Sequence, residues 1–187
     1  MRMRKHGLWL VALLLCGSLL SGCAGGSSLT PGGSPEAAQP KPPVTVSNET
    51  LTLKVYFATR DAMYLVPETR TVKLSETPNP AKTALELLAA GPRNSELVAV
   101  MPAGSVVREL RIKDGVAYAD FGDAIVKKHG GGSTAERLTV VAIVNTLTEF
   151  PDIQKVQILV EGKKVGTLAG HLDISEPLSH SEELNKK

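Results

Sequence analysis

Few side chains in this sequence have the type and spacing to do chemistry. Histidines stand at positions 6, 129, 171 and 180. No two of them have the i, i+4 or short-loop spacing that sets two imidazoles on one zinc ion, and no cysteine stands where it would complete such a set. They read as surface and turn residues. No serine sits in a Gly-x-Ser-x-Gly turn, and the serine-rich stretch near the N-terminus is too poor in apolar residues to hold a nucleophile in place. The carboxylate pair Glu182-Glu183 lies in a polar tail, where solvation explains it. Gly130-Gly131-Gly132 precedes a helical pattern and could hold an anion on free amides. It lacks a Walker lysine and dinucleotide spacing, so a flexible loop ahead of a capped helix is the simpler reading. The sequence predicts no catalytic residue, no metal site and no cofactor.

The cysteines carry the remaining chemistry. There are two, Cys16 and Cys23, both near the N-terminus, so the rest of the chain has no thiol for a disulfide or a metal. Arg2, Arg4 and Lys5 form a positive leader, and residues 8–20 are an uncharged, largely apolar run. That run suits a signal-peptide core and falls short of the roughly 20 residues that span a bilayer. Leu20-Ser21-Gly22-Cys23 resembles a lipobox, the pattern read by the lipoprotein signal peptidase. The resemblance implies a signal peptide over 1–22, cleavage before Cys23, and diacylglycerol on its thiol. Two or three acyl chains make a durable tether where one is marginal. Three of the 21 basic residues lie in the leader, so 18 remain against 19 acidic ones, a balance of one negative charge. No concentrated run of Lys and Arg remains, which excludes a nucleic-acid surface.

From Cys23 to Asn48 the chain is rich in Gly, Ser, Pro and Ala. Such a segment buries too little apolar surface to offset the entropy of ordering it, and it reads as a linker with a reach of roughly 25–30 Å. Residues 49–178 are enough for one domain with a single core, and 179–187 read as a polar tail. Leu51, Leu53, Val55 and Phe57 alternate with polar neighbours as a half-buried strand does. A second strand spans 64–74, with Pro67 placing it at an edge or a bulge. Asn79, Pro80 and Gly91-Pro92 punctuate a helix. Residues 106–113 and 116–121 form a hairpin about Asp114-Gly115, whose register sets Leu110 and Ile112 beside Ala119 and Ala117 on the core face.

A second helix runs from Ser133 to Phe150, with Ser133 and Glu136 spaced as a capping box. Strands follow at 156–161 and 165–168. The order ββαββαββ predicts a two-layer α+β fold, with a mixed or antiparallel sheet covered by two helices on one face and wet on the other. The second helix is apolar over more than one stripe, so its Leu138, Val141, Ala142 and Asn145 are a candidate face for a partner, or a surface that loops of the same domain cover. Asn145 is suited to hold a loop carbonyl.

Several segments resemble one known module: Val55-Tyr56-Phe57, the stretch from Tyr64 to Glu68, Met101-Pro102-Ala103-Gly104, the stretch from Asp114 to Phe121, and above all the run from Ile143 to Gly162. Together they are similar to the GerMN domain, found in sporulation and spore-germination lipoproteins and in other exported proteins. The likeness covers nearly all of 51–178. It implies a non-enzymatic interaction module facing the envelope, similar in topology to the ring-building motifs of secretion machinery. The lipoprotein that named the domain carries two copies in tandem, and this chain has room for one.

The leading expectation is therefore a lipid-anchored module on the extracytoplasmic face of the cell membrane, acting in sporulation or germination and associating with an envelope protein or with itself. The alternative is a lipoprotein that binds a small ligand or hydrolyses wall material at the loops around Gly104, Gly130 and His171.

Overall fold

A computed structural model describes residues 49–186. The leader, the lipobox with Cys23, and the linker lie outside the described residues. Strand β1 (Thr50–Thr59) pairs antiparallel with β2 (Leu65–Lys73) over nine residue pairs. Helix α1 (Pro80–Ala90) follows a short 3₁₀ turn, with Pro80 at its start and the Asn79 side chain accepting from the Lys82 amide at 3.0 Å. It ends at Gly91, whose φ of 90° a side chain would oppose. Next come β3 (Leu97–Val98), β4 (Val107–Lys113), β5 (Val116–Phe121) and a one-turn helix, α2 (Ala124–Lys127). Helix α3 (Ser133–Thr148) leads into β6 (Lys155–Val160), β7 (Lys163–Lys164) and β8 (Leu178–Ser179).

The α+β class is as expected, but the strands form two sheets where one was expected. The first has the order β2-β1-β3 and the second β4-β5-β6-β7, with β8 also on β6. Pro67 lies on the edge strand, where its missing N–H costs no ladder bond. Helix α3 packs against both β1 and β6 and joins the two sheets. Where β1 runs past its short partner β3, the Tyr56 amide donates to the Thr146 hydroxyl of α3 at 3.2 Å, so a helix side chain serves an amide no strand reaches.

The β4–β5 hairpin has the expected register, Lys113 opposite Val116 and Leu110 opposite Ala119. Ile112 departs from expectation. It is 42% exposed, because β4 is an edge strand and Ile112 stands near the turn, at the margin of the core. Strands β5 and β6 are parallel, which requires the long crossover that α2 and α3 supply. From Val156 to Val160 every residue of β6 is buried. The sheet is therefore not wet on its second face there. The chain from Val165 to Ile174, expected to contain a strand at 165–168, instead loops over that face, and the Gln157 side chain donates through Nε2 to the Ile174 carbonyl at 3.0 Å.

The segment expected as a polar tail also differs. Ser179 pairs with Lys155, the Leu65 amide donates to the Leu184 carbonyl at 2.6 Å, and Lys186 donates back to the Leu65 carbonyl at 3.0 Å. No helix among the described residues is long and apolar enough to cross a membrane.

Asp114 and Gly115 both have positive φ, 52° and 75°, as a two-residue hairpin turn requires. A Cβ on Gly115 would also stand 3.2 Å from the Gln154 side chain. Gly115→Ala is therefore expected to lower unfolding stability by about 1–2 kcal/mol, read from urea denaturation at an unchanged m-value. A neutral substitution would contradict the turn geometry.

Candidate functional site

The residues that stand out in the folded chain lie on α3, whose apolar residues are buried on several sides. Four of its polar side chains are buried with them: Glu136, Thr139, Asn145 and Thr146. A buried polar group without a partner is costly, so each must find one. Beyond the Thr146 bond to β1, each of the others holds a non-helical segment.

Glu136 is wholly buried and does not form the expected capping box. Gly132 precedes the helix with a φ of 85°, and no side chain caps its N-terminus. The Glu136 carboxylate turns inward instead. One oxygen accepts the amides of Leu168 and Ala169 at 2.9 and 2.8 Å and the Thr167 hydroxyl, and the other accepts the His171 amide at 2.8 Å. Burial pushes the carboxyl up, but the Thr167 hydroxyl and the three amides outweigh it and hold it below the ordinary carboxylate range. Four converging donors in the loop at 167–171 make a better partner than a helix end open to water.

Thr139 donates to the Val100 carbonyl at 2.6 Å and lies 3.2 Å from His129 Nε2. His129 Nδ1 accepts the Gly131 amide at 3.3 Å, so Nε2 carries the proton and donates to Thr139. The glycine run is thereby tied to the helix it precedes. His171 is exposed and contributes only its amide to Glu136, while His180 lies between Thr148 and Glu182 at 2.9 Å from each. The three histidines serve separate networks. Among the described residues no group of three or more His, Cys, Asp or Glu is placed to hold a metal ion.

Asn145 uses both of its amide donors and its carbonyl oxygen. Its Oδ1 accepts the Ser181 amide at 3.0 Å, and its Nδ2 donates to the Ser181 carbonyl at 2.8 Å and to Asn185 Oδ1 at 3.1 Å. Of the candidate face, Leu138, Ala142 and Asn145 are thus buried inside the chain's own body. Val141 is half-buried. It lines a small groove of about 190 Å³ with Arg137, Val144, Leu172 and Leu178.

Near the end of β1, Tyr56 donates its hydroxyl to Glu149 at 2.6 Å, and Lys54 reaches the other carboxylate oxygen at 3.0 Å. Burial and the Glu149 carboxylate push the Tyr56 phenol far up. A wider groove of about 460 Å³ lies between β3 and the start of α3, lined by Ala58, Ala62, Val98, Val100, Gly132 and Leu138 among others. Among the described residues no ionisable side chain lines it, and neither Gly104 nor His171 reaches it. The loops proposed to share a ligand do not meet there.

Sequence reasoning identified Asn145 as a holder of loop backbone. It missed Glu136 as an anchor, because a Ser-x-x-Glu spacing before an apolar run reads equally as a cap.

These features, an α+β domain whose central helix buries four polar side chains among its apolar ones, with no assembled reactive cluster among the described residues, define a class. The chain belongs to the GerMN (Germane) family of sporulation and spore germination, whose pattern matches residues 54–166. It is 33% identical over 124 residues to spore germination protein GerM of Bacillus subtilis (strain 168), a match spanning 62% of this chain and 32% of that protein. The chain thus aligns with about a third of that relative's length. The solved tandem GerMN domains of the same protein superpose with a TM-score of 0.59 at 28% identity, covering 81% of this chain and 51% of that one. Its first GerMN domain alone gives 0.58 at 30% identity, covering 69% and 97%. A Clostridium perfringens chain described as a candidate lipoprotein gives 0.51 at 26% identity, covering 72% and 93%.

Because the Glu136 carboxyl is held low, its contribution to stability is complete above the ordinary carboxylate range and is lost as pH falls through the depressed folded value. Glu136→Ala is expected to cost about 3 kcal/mol at neutral pH by stranding buried amides. Glu136→Gln should cost less and flatten the acid limb of the stability profile. Parallel acid limbs for wild type and Glu136→Gln would show that the carboxylate does not act as described.

Proposed function

We propose that this protein is a membrane-tethered module of the cell envelope, held at the extracytoplasmic face by lipid on Cys23 and acting by association, without catalysis, in sporulation or germination. The family match over residues 54–166 is the observation that carries the reading. The arrangement of the described ionisable groups supports it further. Glu136, Glu149 and Glu68 are taken up by amides, hydroxyls and cations of the same fold and are not aimed together into a cleft. The lipobox resemblance at 20–23 supplies the anchor, and the linker lets the domain stand away from the headgroups. The match to one half of a tandem relative suits a role in which this domain meets a second one of its kind.

Expression of the full chain in a Gram-positive host with radiolabelled palmitate tests the anchor. The wild type is expected to be labelled and to fractionate with membranes, and Cys23→Ala to be unlabelled and released. A Cys23→Ala chain that stays in the membrane fraction through its own N-terminus would sink the tether, and with it the placement of the domain.

A further inference from the structure

The C-terminal segment at 180–186 is seated on the domain as a ligand would be. Both polar groups of the Asn145 side chain pair with the backbone N–H and C=O of one residue, Ser181. That is recognition of an extended peptide backbone irrespective of its side chains. Four residues on, the same segment lies parallel to the start of β2 and exchanges two backbone hydrogen bonds with Leu65, in the manner of a strand added to a sheet edge. Leu178 and Leu184 pack against the core, and Arg137 of α3 faces Glu183 at 2.5 Å. The receiving residues, Leu65, Arg137 and Asn145, all lie within the family match, which ends at 166, and the seated segment lies beyond it.

We propose that α3 and the β2 edge form a peptide-binding groove whose resting occupant is the chain's own segment 180–186, the strap, and that the strap of a second copy can take its place. Every contact the strap makes in its own chain is available unchanged in a neighbour, so exchange requires no new complementarity. Glu183 of the strap and Arg137 of α3 supply the charge match. An attached strap acts at roughly millimolar effective concentration, which keeps the groove filled until copies are crowded together. The inference rests on the association reading above for its use in the cell, but not for its test, which needs neither lipid nor partner.

The test uses the purified full chain and a fluorescein-labelled peptide of residues 177–187, followed by anisotropy. Ser181→Pro in the chain removes the amide that Asn145 reads and leaves the groove intact. This variant is expected to bind the wild-type peptide at least tenfold more tightly than the wild-type chain does. Adding Asn145→Ala, or placing the proline in the peptide, should abolish that gain. A natively folded Ser181→Pro chain that binds no better than wild type overturns the proposal. Should the variant fail to fold, hydrogen exchange on the wild type decides. Amides of Ser181 and Lys186 exchanging at least tenfold faster than that of Ile158 support a strap that opens by itself. Equal rates would make the strap part of the global core and overturn the exchange.

Discussion

The structure depends on satisfying polar groups inside a buried helix. Helix α3 packs against strands of both sheets, and Glu136, Thr139, Asn145 and Thr146 are buried along with its apolar residues. Each would be destabilising alone, because a donor or acceptor taken from water without a partner forfeits more than a typical hydrogen bond contributes. Each is matched by backbone from a different part of the chain. Glu136 holds 167–171, Thr139 holds the loop after β3, Asn145 holds the C-terminal strap, and Thr146 holds β1. The helix therefore organises segments that have little apolar surface with which to organise themselves.

The same constraint makes the domain's outer parts uneven in strength. Strands β6 and β1 are held by ladders and by extensive apolar packing, whereas the strap is held by Asn145, the Thr148–His180 contact, two backbone bonds to Leu65, the single apolar side chain of Leu184 and an ion pair with partly exposed partners. Exposed ion pairs add little. Local opening belongs to segments with few buried apolar contacts and many solvent-exposed backbone bonds, and the strap has that profile. This segment lies over the helix whose apolar residues span more than one stripe.

Much of the fold was legible because local chemistry and tertiary structure agree. Asn79, Pro80 and Gly91 mark a helix wherever it packs, and Asp114-Gly115 makes a tight turn between any two alternating runs, so their elements lie where the sequence places them. The site was less legible. Ser133 and Glu136 have a local meaning as a capping box, and distant amides outcompete it. The polarity of 179–186 reads as solvation, yet its backbone pairs with Leu65 and Asn145, which no local pattern reveals. The family resemblance of the run at 143–162 was legible because it is a statement about side-chain order, and the match over 54–166 bears it out.

What the sequence determined by itself was therefore whatever depends on near neighbours: the alternation of strands, the punctuation of helices, the turn, the absence of thiols beyond Cys23, and the family. Only the tertiary structure decided that the strands split into two sheets, that β6 is covered on both faces, and that the C-terminal residues lie on α3. The reason is that hydrogen bonding is a competition. A buried carboxylate or amide goes to the best set of donors the whole chain brings within reach, and that set exists only once distant segments have been folded together.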